Sequence, residues 1–303
     1  MGALRRSALA PGIDLTLDLP APSRRRTLVL TALALLAFAG NSLLCRLALE
    51  GTDTDPASFT ALRLLSGALV LAVLAHRPGQ SWRRAGDTVS ALALFTYAAC
   101  FSWAYLELTA GTGALLLFGA VQATMLGLGL VRGTRWSALQ AAGLALALAG
   151  LVGLLLPGLS APPPLPAALM LLAGAAWGVY SLRGRGVVDP TAATAGNFIR
   201  AVPFALFACL VALPWLRVDA AGAAYALVSG GLTSGLGYVV WYAALRGLSP
   251  QAAGSSQLAV PVITALAGLV LLDEAMGLRL VLASAAVLGG IALTLPWRSR
   301  AAA

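Results

Sequence analysis

The chain has 303 residues, of which 59% are hydrophobic and only 10% are charged. A soluble domain carries about 25% charged residues, so this composition indicates a membrane protein. The net charge of +9 does not indicate nucleic-acid binding, because all twenty basic residues are arginines and most of them lie in short gaps between apolar runs.

Ten apolar segments follow one another along the chain. Each is long enough to cross a bilayer, which takes about 20 mostly apolar residues. In chain order, the predicted membrane helices are 27–49, 57–76, 88–108, 110–131, 136–156, 166–184, 191–214, 222–245, 250–272 and 279–297. A cleaved signal peptide is an alternative for the first segment, but cleavage would leave an odd set of nine, so we keep it as a membrane helix.

The arginines between these segments predict the orientation of the helices. With the N-terminus in the cytoplasm, the inner side receives fifteen of the twenty, namely Arg5, Arg6, Arg24, Arg25, Arg26, Arg77, Arg83, Arg84, Arg132, Arg135, Arg183, Arg185, Arg246, Arg298 and Arg300. The opposite loops are rich in acids. Since cytoplasmic loops carry the excess of basic residues, we expect a bacterial-type inner membrane protein with both termini in the cytoplasm.

The two halves of the chain resemble each other. The stretch "FTALRLLSGAL" around Arg63 is similar to "GNFIRAVPFAL" around Arg200, and a further match pairs Gly150 with Gly290. Each half holds five helices, and an odd number places two similar halves in opposite orientations, which is typical of secondary transporters. The predicted parts are a cytoplasmic segment 1–26, a first repeat 27–156, a periplasmic linker 157–165, a second repeat 166–297 and a cytoplasmic tail 298–303.

Four motifs carry a resemblance to a known family. They are "PASFTALRLLSGAL" in helix two, "GAAWGVYSLRGRG" in helix six, "GLGYVVWYAALRGLSP" from helix eight and "PVITALAGLVLLDE" in helix nine. With the layout of five plus five helices, they resemble the drug/metabolite transporter superfamily, and within it the EamA-type ten-helix exporters, including YddG-like amino acid exporters. The resemblance covers roughly residues 27–297 and implies export of small metabolites or amino acids.

Pro261 interrupts an otherwise apolar segment and is a candidate hinge. A proline in a helix interior removes one backbone donor and clashes with the preceding turn. A bend beside a polar cavity and a kink that only improves packing both remain open. The first-half partner of Pro261 is Val121, where the family often repeats the proline, so no hinge is carried over to helix four.

Aromatic and polar side chains inside the apolar runs are the candidate substrate-binding residues. We expect them to line a central cavity, because polar groups are costly when they face lipid. Core packing of the rings and hydrogen bonding between helices are the alternatives. The candidates are Asn41, Ser42, Tyr97, Phe101, Gln122, Trp177, Tyr180, Tyr238, Trp241, Ser256 and Gln257.

The charged residues near the membrane are interpreted as mainly structural. Arg63 and Arg200 are placed about two turns from the outer ends of their helices, where they would reach outward to loop carbonyls or acids; binding of a carboxylate is the functional alternative. Asp273 and Glu274 are expected to meet water after helix nine. Glu107 is the carboxylate that could face a cavity, near the outer mouth.

The sequence therefore predicts an all-α membrane protein that exports neutral or aromatic amino acids by alternating access. A cationic drug/proton antiporter is the alternative within transport, but residues 27–49 contain no acid to carry protons. A membrane enzyme or scaffold is the alternative of another class, and no clustered nucleophile, base or metal set supports an enzyme.

We expect no cofactor and no metal. The expected partners are a small-molecule substrate and the lipid bilayer. A face with Gly143, Ala147 and Gly150 leaves a homodimer contact open.

Overall fold

The computed structural model describes residues 23–76, 85–131, 137–158, 161–184, 187–248 and 250–294. Within these ranges the chain forms ten long helices and no strand. They are α1 (Arg24–Gly51), α2 (Pro56–Ala75), α3 (Thr88–Ala104), α4 (Ala110–Val131), α5 (Ala138–Leu155), α6 (Pro164–Arg183), α7 (Pro190–Val211), α8 (Ala220–Leu245), α9 in two pieces (Pro250–Gln257 and Ala259–Leu271) and α10 (Leu278–Thr294).

Short polar side chains fix where several helices begin. Asp55, Asp87, Asp189 and Asp219 each precede a helix and accept hydrogen bonds from backbone N–H groups of its first turn. Ser137 does the same for α5, and the Gln140 side chain completes a reciprocal capping box. The chain can therefore turn between membrane helices without leaving these donors unsatisfied.

The helices have the length and composition of membrane spans, which confirms the predicted fold class. Eight of them are long and apolar enough to cross a membrane, and α3 and α10 are shorter apolar helices of 17 residues. Large apolar side chains such as Val73, Phe207 and Val270 are exposed on the outer faces. These outer faces are suited to contact with lipid, because a soluble protein of this size would not expose so much apolar surface to water.

The packing of the helices repeats between the two halves. Helix α2 packs against α7 and α5 against α10, so each of these pairs joins equivalent helices of the two halves. In the same way, α3 packs against α6 and α7 as α8 packs against α1 and α2. These main contacts are thus preserved when the halves are exchanged, which is what two five-helix repeats predict.

Two helices depart from regular α geometry. The centre of α8, Ser229–Leu236, is π-helical, and α9 is interrupted at Leu258. The interruption lies three residues before Pro261. Because the proline ring displaces the carbonyl four residues earlier and offers no N–H to it, the backbone at Gln257 and Leu258 leaves the helical ladder.

Glycine allows α5 and α10 to approach closely. A Cβ added at Gly290 would lie 2.5 Å from the backbone nitrogen of Ala147 and 2.5 Å from the carbonyl oxygen of Gly143. At Gly150 a Cβ would meet Ala286 at 2.8 Å. This face, for which close packing and a dimer contact were both open, is therefore covered by α10 of the same chain, and a homodimer through it would require α10 to leave.

We expect Gly290→Val to lower the amount of folded protein in the membrane and its thermal stability. Backbone atoms of α5 cannot move aside as a flexible side chain could, so the two helices must separate, at about 1–3 kcal/mol for such overpacking. Gly289→Val is the matched control, because a Cβ there meets nothing within 4 Å. Equal losses in both variants, measured by detergent-solubilised yield and thermal unfolding, would contradict close packing at Gly290.

Candidate functional site

The helix bundle has two ends, which we name after a residue at each. At the Glu274 end α1, α3, α5, α7 and α9 finish, and at the Asp87 end α2, α4, α6, α8 and α10 finish. Between them, in the interior of the bundle, lies a cleft formed by α1, α3, α4, α6 and α8. These helices come from both halves of the chain, so the cleft lies between the repeats.

Ten side chains line this central cleft. Six of them are among the residues that the sequence singled out: Asn41, Ser42, Tyr97, Phe101, Trp177 and Tyr238. The other four are Phe38, Leu117, Phe118 and Thr233. The space open to the centre of a water molecule is only ≈ 20 Å³, which is room for about one water molecule. In this conformation the cleft is closed around its own side chains.

Aromatic rings form one wall of the cleft. The centroid of the Trp177 ring lies 4.9 Å from that of Tyr97, 5.1 Å from Tyr238 and 5.3 Å from Tyr180. Trp177 is only partly buried, and its ring stacks on Tyr180 with an interplanar angle of 26°. The arrangement offers ring faces to an apolar or cationic group of a ligand.

A buried polar cluster lies beside the aromatic wall. The Asn41 amide nitrogen donates to the Tyr97 hydroxyl (3.2 Å), and Ser229 donates to the Asn41 amide oxygen (2.6 Å). Arg63 donates from Nη2 to the same Tyr97 hydroxyl (3.0 Å) and from Nε to Ser234 (3.2 Å). The cluster joins α1, α2, α3 and α8 across the two repeats.

The position of Arg63 corrects the sequence interpretation. Its side chain does not reach outward to loop carbonyls or to acids, because it is 2% exposed and bonds to Tyr97 and Ser234 within the bundle. Its guanidinium carbon lies 5.1 Å from the ring centroids of both Tyr97 and Phe101. Hydroxyls and ring faces hold the guanidinium in the interior, away from the interface that a membrane arginine usually reaches.

Arg200 also differs from expectation. It donates to the carbonyl oxygens of Ala85, which precedes α3, and of Gly196, on the preceding turn of α7. The side chain therefore reaches towards the Asp87 end, whereas Arg63 lies nearer the beginning of α2 at the Glu274 end. The prediction that both arginines lie near the same membrane face was therefore wrong. The two repeats have opposite orientations, so matched residues lie near opposite faces.

The π-helical part of α8 supplies polar side chains that the sequence analysis missed. Ser229 donates its hydroxyl to the Asn41 amide oxygen at 2.6 Å, and the Ser234 hydroxyl lies 3.5 Å from the same oxygen. The Thr233 hydroxyl lies 3.4 Å from that oxygen and donates to the carbonyl of Ser229 at 2.8 Å. Gly230 lets this segment touch α2, because a Cβ there would overlap the carbonyl oxygen of Arg63. The signal in the sequence is "SGGLTSGL", a run of small and hydroxyl residues inside an apolar segment, and π-helical turns are frequent at functional sites.

A wider vestibule lies at the Asp87 end, between the ends of α6 and α8 and the beginnings of α3 and α7. The space open to the centre of a water molecule is ≈ 230 Å³. Its polar lining includes Ser90, Thr194 and Asn197, and its aromatic lining consists of Tyr180 and Tyr242. Tyr180, a predicted substrate-binding residue, lies here rather than in the cleft. Its stacking on Trp177 makes the two rings the partition between vestibule and cleft.

An ion pair between Asp87 and Arg183 stands at the edge of the vestibule. Nη2 of Arg183 lies 2.8 Å from the Asp87 carboxylate, and both side chains are more than 40% exposed (42% and 46%). Partial burial acts to raise the pKa of Asp87, but hydrogen bonds from Ser90 and the charge of Arg183 outweigh it and hold the pKa below its usual value. The carboxylate thus stays charged at neutral pH, although an exposed pair of this kind contributes little to closure.

The Glu274 end is closed by a buried ion pair. Nε of Arg46 lies 3.2 Å from the Glu274 carboxylate, and the two side chains are 8% and 10% exposed. The same carboxylate accepts from the backbone N–H of Ala110 at the start of α4, at 2.8 Å. Arg46 also donates to the carbonyl oxygens of Tyr105 and Leu106, both at 3.0 Å. These bonds tie α1 to the α3–α4 connection and to the α9–α10 connection.

Glu274 was expected in water, and this prediction was wrong. Asp273 has a positive φ of 52°, which turns the chain after α9 and brings Glu274 back against the bundle. Burial raises the pKa of the Glu274 carboxyl, and the hydrogen bonds from Ala110 and Arg46 oppose that rise. Glu107, the carboxylate expected near a cavity, is instead exposed in the turn after α3.

Four predicted residues do not line the cleft or the vestibule: Gln122, Trp241, Ser256 and Gln257. Trp241 packs edge-on against Phe38, behind the cleft wall (5.7 Å between centroids). The Ser256 hydroxyl donates to the carbonyl of Ala253 on its own helix (2.9 Å). Pro261 is buried in the second piece of α9, and its role as a hinge stays a prediction.

Within the described ranges, no group of three or more His, Cys, Asp or Glu side chains could hold a metal ion. The site's chemistry is therefore that of hydroxyls, amides, aromatic faces and one buried guanidinium. Such groups bind and orient a solute.

Comparison with known proteins relates the second half of this chain to a family. Residues 165–295 match the model of the EamA-like transporter family. An uncharacterized protein of Pseudomonas aeruginosa is 60% identical over 282 residues, which cover 92% of this chain and 98% of the relative. A crystal structure of a protein 24% identical to this chain covers 90% of it and 98% of its own length with a TM-score of 0.63, which shows a shared fold. The chain is a multi-pass membrane protein whose second half, residues 165–295, matches the EamA-like transporter family.

Proposed function

We propose that this chain is a secondary transporter that exports neutral and aromatic amino acids through the central cleft. The observation that carries the proposal is the composition of the cleft wall, which combines the rings of Tyr97, Trp177 and Tyr238 with the amide of Asn41 and the hydroxyl of Thr233. Ring faces suit an apolar side chain or an ammonium group, and the amide and hydroxyl suit the polar end of the solute.

The difference between the two ends supports alternating access. At the Glu274 end the Arg46 pair is buried, whereas at the Asp87 end the Arg183 pair is exposed beside the vestibule. The sequence offset that matches Arg63 with Arg200 also matches Arg46 with Arg183. Of these two equivalent arginines, Arg46 lies at the closed end and Arg183 at the open end. If the two ends exchanged their closed and open states, a solute in the cleft would cross the membrane.

The excess of arginine at the predicted inner side makes the Asp87 end cytoplasmic. The structure then corresponds to a state with a vestibule towards the cytoplasm and a closed outer end. A solute entering by the vestibule would pass the Trp177 and Tyr180 rings to reach the cleft. Opening of the Glu274 end would release it outside.

Transport by purified protein in liposomes tests the proposal. We expect movement of labelled phenylalanine and leucine down their gradients without an imposed proton gradient. Cationic aromatic amines and phosphorylated metabolites serve as the comparison substrates. Transport of cationic compounds alone with strict proton dependence would support the drug/proton antiporter instead and contradict the proposal.

Cysteine labelling tests the orientation. With Cys45, Cys100 and Cys209 replaced, Gly51→Cys should react with an impermeant thiol reagent in intact cells, and Val188→Cys should react only after permeabilisation. Both positions are exposed: Val188 is fully exposed at the Asp87 end, and a Cβ at Gly51 meets nothing within 4 Å. The reverse labelling pattern would mean that the vestibule faces outward and would turn the proposed export into uptake.

A further inference from the structure

The guanidinium of Arg63 has unused binding capacity in the interior of the bundle. The side chain is 2% exposed, and Nη1 has no hydrogen-bond partner among the residues that the structure describes. Its other bonds go to the neutral hydroxyls of Tyr97 and Ser234. Within the described ranges, no carboxylate forms an ion pair with Arg63, in contrast to Arg46 and Arg183.

A buried cation without an anion is costly in a membrane protein. Buried charges are normally paired, and removal of one partner from a buried pair is strongly destabilising. The two hydroxyls and the ring faces of Tyr97 and Phe101 compensate only part of this cost. The arrangement is therefore suited to an anion that arrives and leaves.

Arg63 is also one hydrogen bond away from the cleft. The Tyr97 hydroxyl accepts from Arg63 Nη2 (3.0 Å) and from Asn41 (3.2 Å), and both Tyr97 and Asn41 line the cleft. A planar guanidinium binds a carboxylate through two parallel N–H groups, which Nη1 and Nη2 can supply once the Tyr97 hydroxyl turns aside.

We propose that Arg63 binds the carboxylate of the transported solute, while the rings of Trp177 and Tyr238 hold the remainder. This assignment rests on the proposed function and narrows it to solutes with a free carboxylate. Amines that lack the carboxylate would leave Arg63 uncompensated and bind weakly.

Ligand binding to the wild-type protein gives the first test. The protein is purified in detergent, and thermal stabilisation is measured with phenylalanine, phenylacetate, phenylethylamine and inorganic phosphate. We expect phenylalanine and phenylacetate to stabilise the protein, and phenylethylamine and phosphate to do so at least about tenfold more weakly, because a charge-assisted hydrogen bond is lost or misfitted. Equal stabilisation by phenylethylamine, or stabilisation by phosphate alone, would overturn the assignment.

The variant Arg63→Gln gives the second test, with Arg200→Gln as the matched control. The glutamine variant should lose the preference for phenylacetate over phenylethylamine, whereas Arg200→Gln should keep it, because Arg200 bonds to backbone carbonyls away from the cleft. If Arg63→Gln does not fold, Arg63→Lys replaces it, and the preference should fall but persist. A folded Arg63→Gln protein with an unchanged preference overturns the assignment.

The two proposals fail separately. If the wild type transports amino acids and Arg63→Gln keeps its carboxylate preference, Arg63 does not bind the carboxylate, but the proposed function holds. If Arg63→Gln loses carboxylate binding and the wild type moves no amino acid in liposomes, the anion site at Arg63 holds, but the proposed function is wrong.

Discussion

Replacing Glu274 with alanine is expected to open the cleft at the Glu274 end, which the proposed orientation places outside. A cysteine placed at Ser42, which lines the cleft and is 1% exposed, should then react with an impermeant thiol reagent from outside. The substitution removes the acceptor for Arg46 Nε and for the Ala110 N–H, and so leaves Arg46 with less compensation at its buried position. A hydrogen bond to a charged group contributes about 1.5–3 kcal/mol, so the labelling rate should rise by about tenfold or more.

Glu50→Ala is the control for this prediction. Glu50 pairs with the same arginine at 2.8 Å, but it is 52% exposed and lies four residues along the same helix. Exposed pairs of this kind contribute at most about 1 kcal/mol, and this one does not join separate helices. Labelling should therefore stay close to that of the unmodified protein. If Glu50→Ala and Glu274→Ala have the same effect, the buried pair is not what keeps this end closed.

The membrane helices could be predicted closely from the sequence. The predicted segment 110–131 coincides with α4, and most other ends agree within about three residues, because twenty consecutive apolar residues leave few alternatives in lipid. The end of α3 differs more. It stops at Ala104 rather than at 108, where Tyr105 turns inward and donates its hydroxyl to the carbonyl of Ala110.

The faces of the helices could not be predicted in the same way. A membrane helix buried among others is apolar all round, so its hydrophobic pattern does not show which side faces the cleft. Tyr97 and Trp241 look equivalent in the sequence, yet one lines the cleft and the other packs behind Phe38. The π-helical turns of α8 shift the register further, because side-chain positions calculated at 3.6 residues per turn no longer apply beyond Ser229.

The charged residues were misplaced for a related reason. The cost of burying an arginine depends on groups that are distant in the chain, such as Ser234 for Arg63 and Glu274 for Arg46. Distance from the end of its own helix suggested that Arg63 would reach the interface, since that is what an isolated membrane helix would allow. The packing of α2 against the centre of α8 brings Ser234 within hydrogen-bond distance of Arg63, and its packing against α3 brings Tyr97.

Trp177→Ala is expected to lower transport by about two- to tenfold while leaving the amount of folded protein almost unchanged. The ring contacts Tyr97, Tyr180 and Tyr238 and forms the partition between vestibule and cleft. Each aromatic contact contributes about 0.5–1.5 kcal/mol. A solute that packs against the Trp177 ring would lose a similar amount of binding free energy when the ring is removed. Because Trp177 is only partly buried, the space left by its removal joins the vestibule and can fill with water, so the protein escapes most of the cost of an empty core cavity.

Two further variants decide what the ring does. Trp177→Phe keeps an aromatic face at the partition and should retain most of the transport. If the larger indole instead served packing, Trp177→Phe would lower transport nearly as much as Trp177→Ala. Trp215→Ala removes a tryptophan that is 70% exposed outside the cleft and should leave transport near the wild-type rate. Transport and folded protein are measured on the same liposome preparations. A fall in folded Trp177→Ala protein that matches its fall in transport would assign the ring to packing, because loss of a solute contact alone does not unfold the bundle.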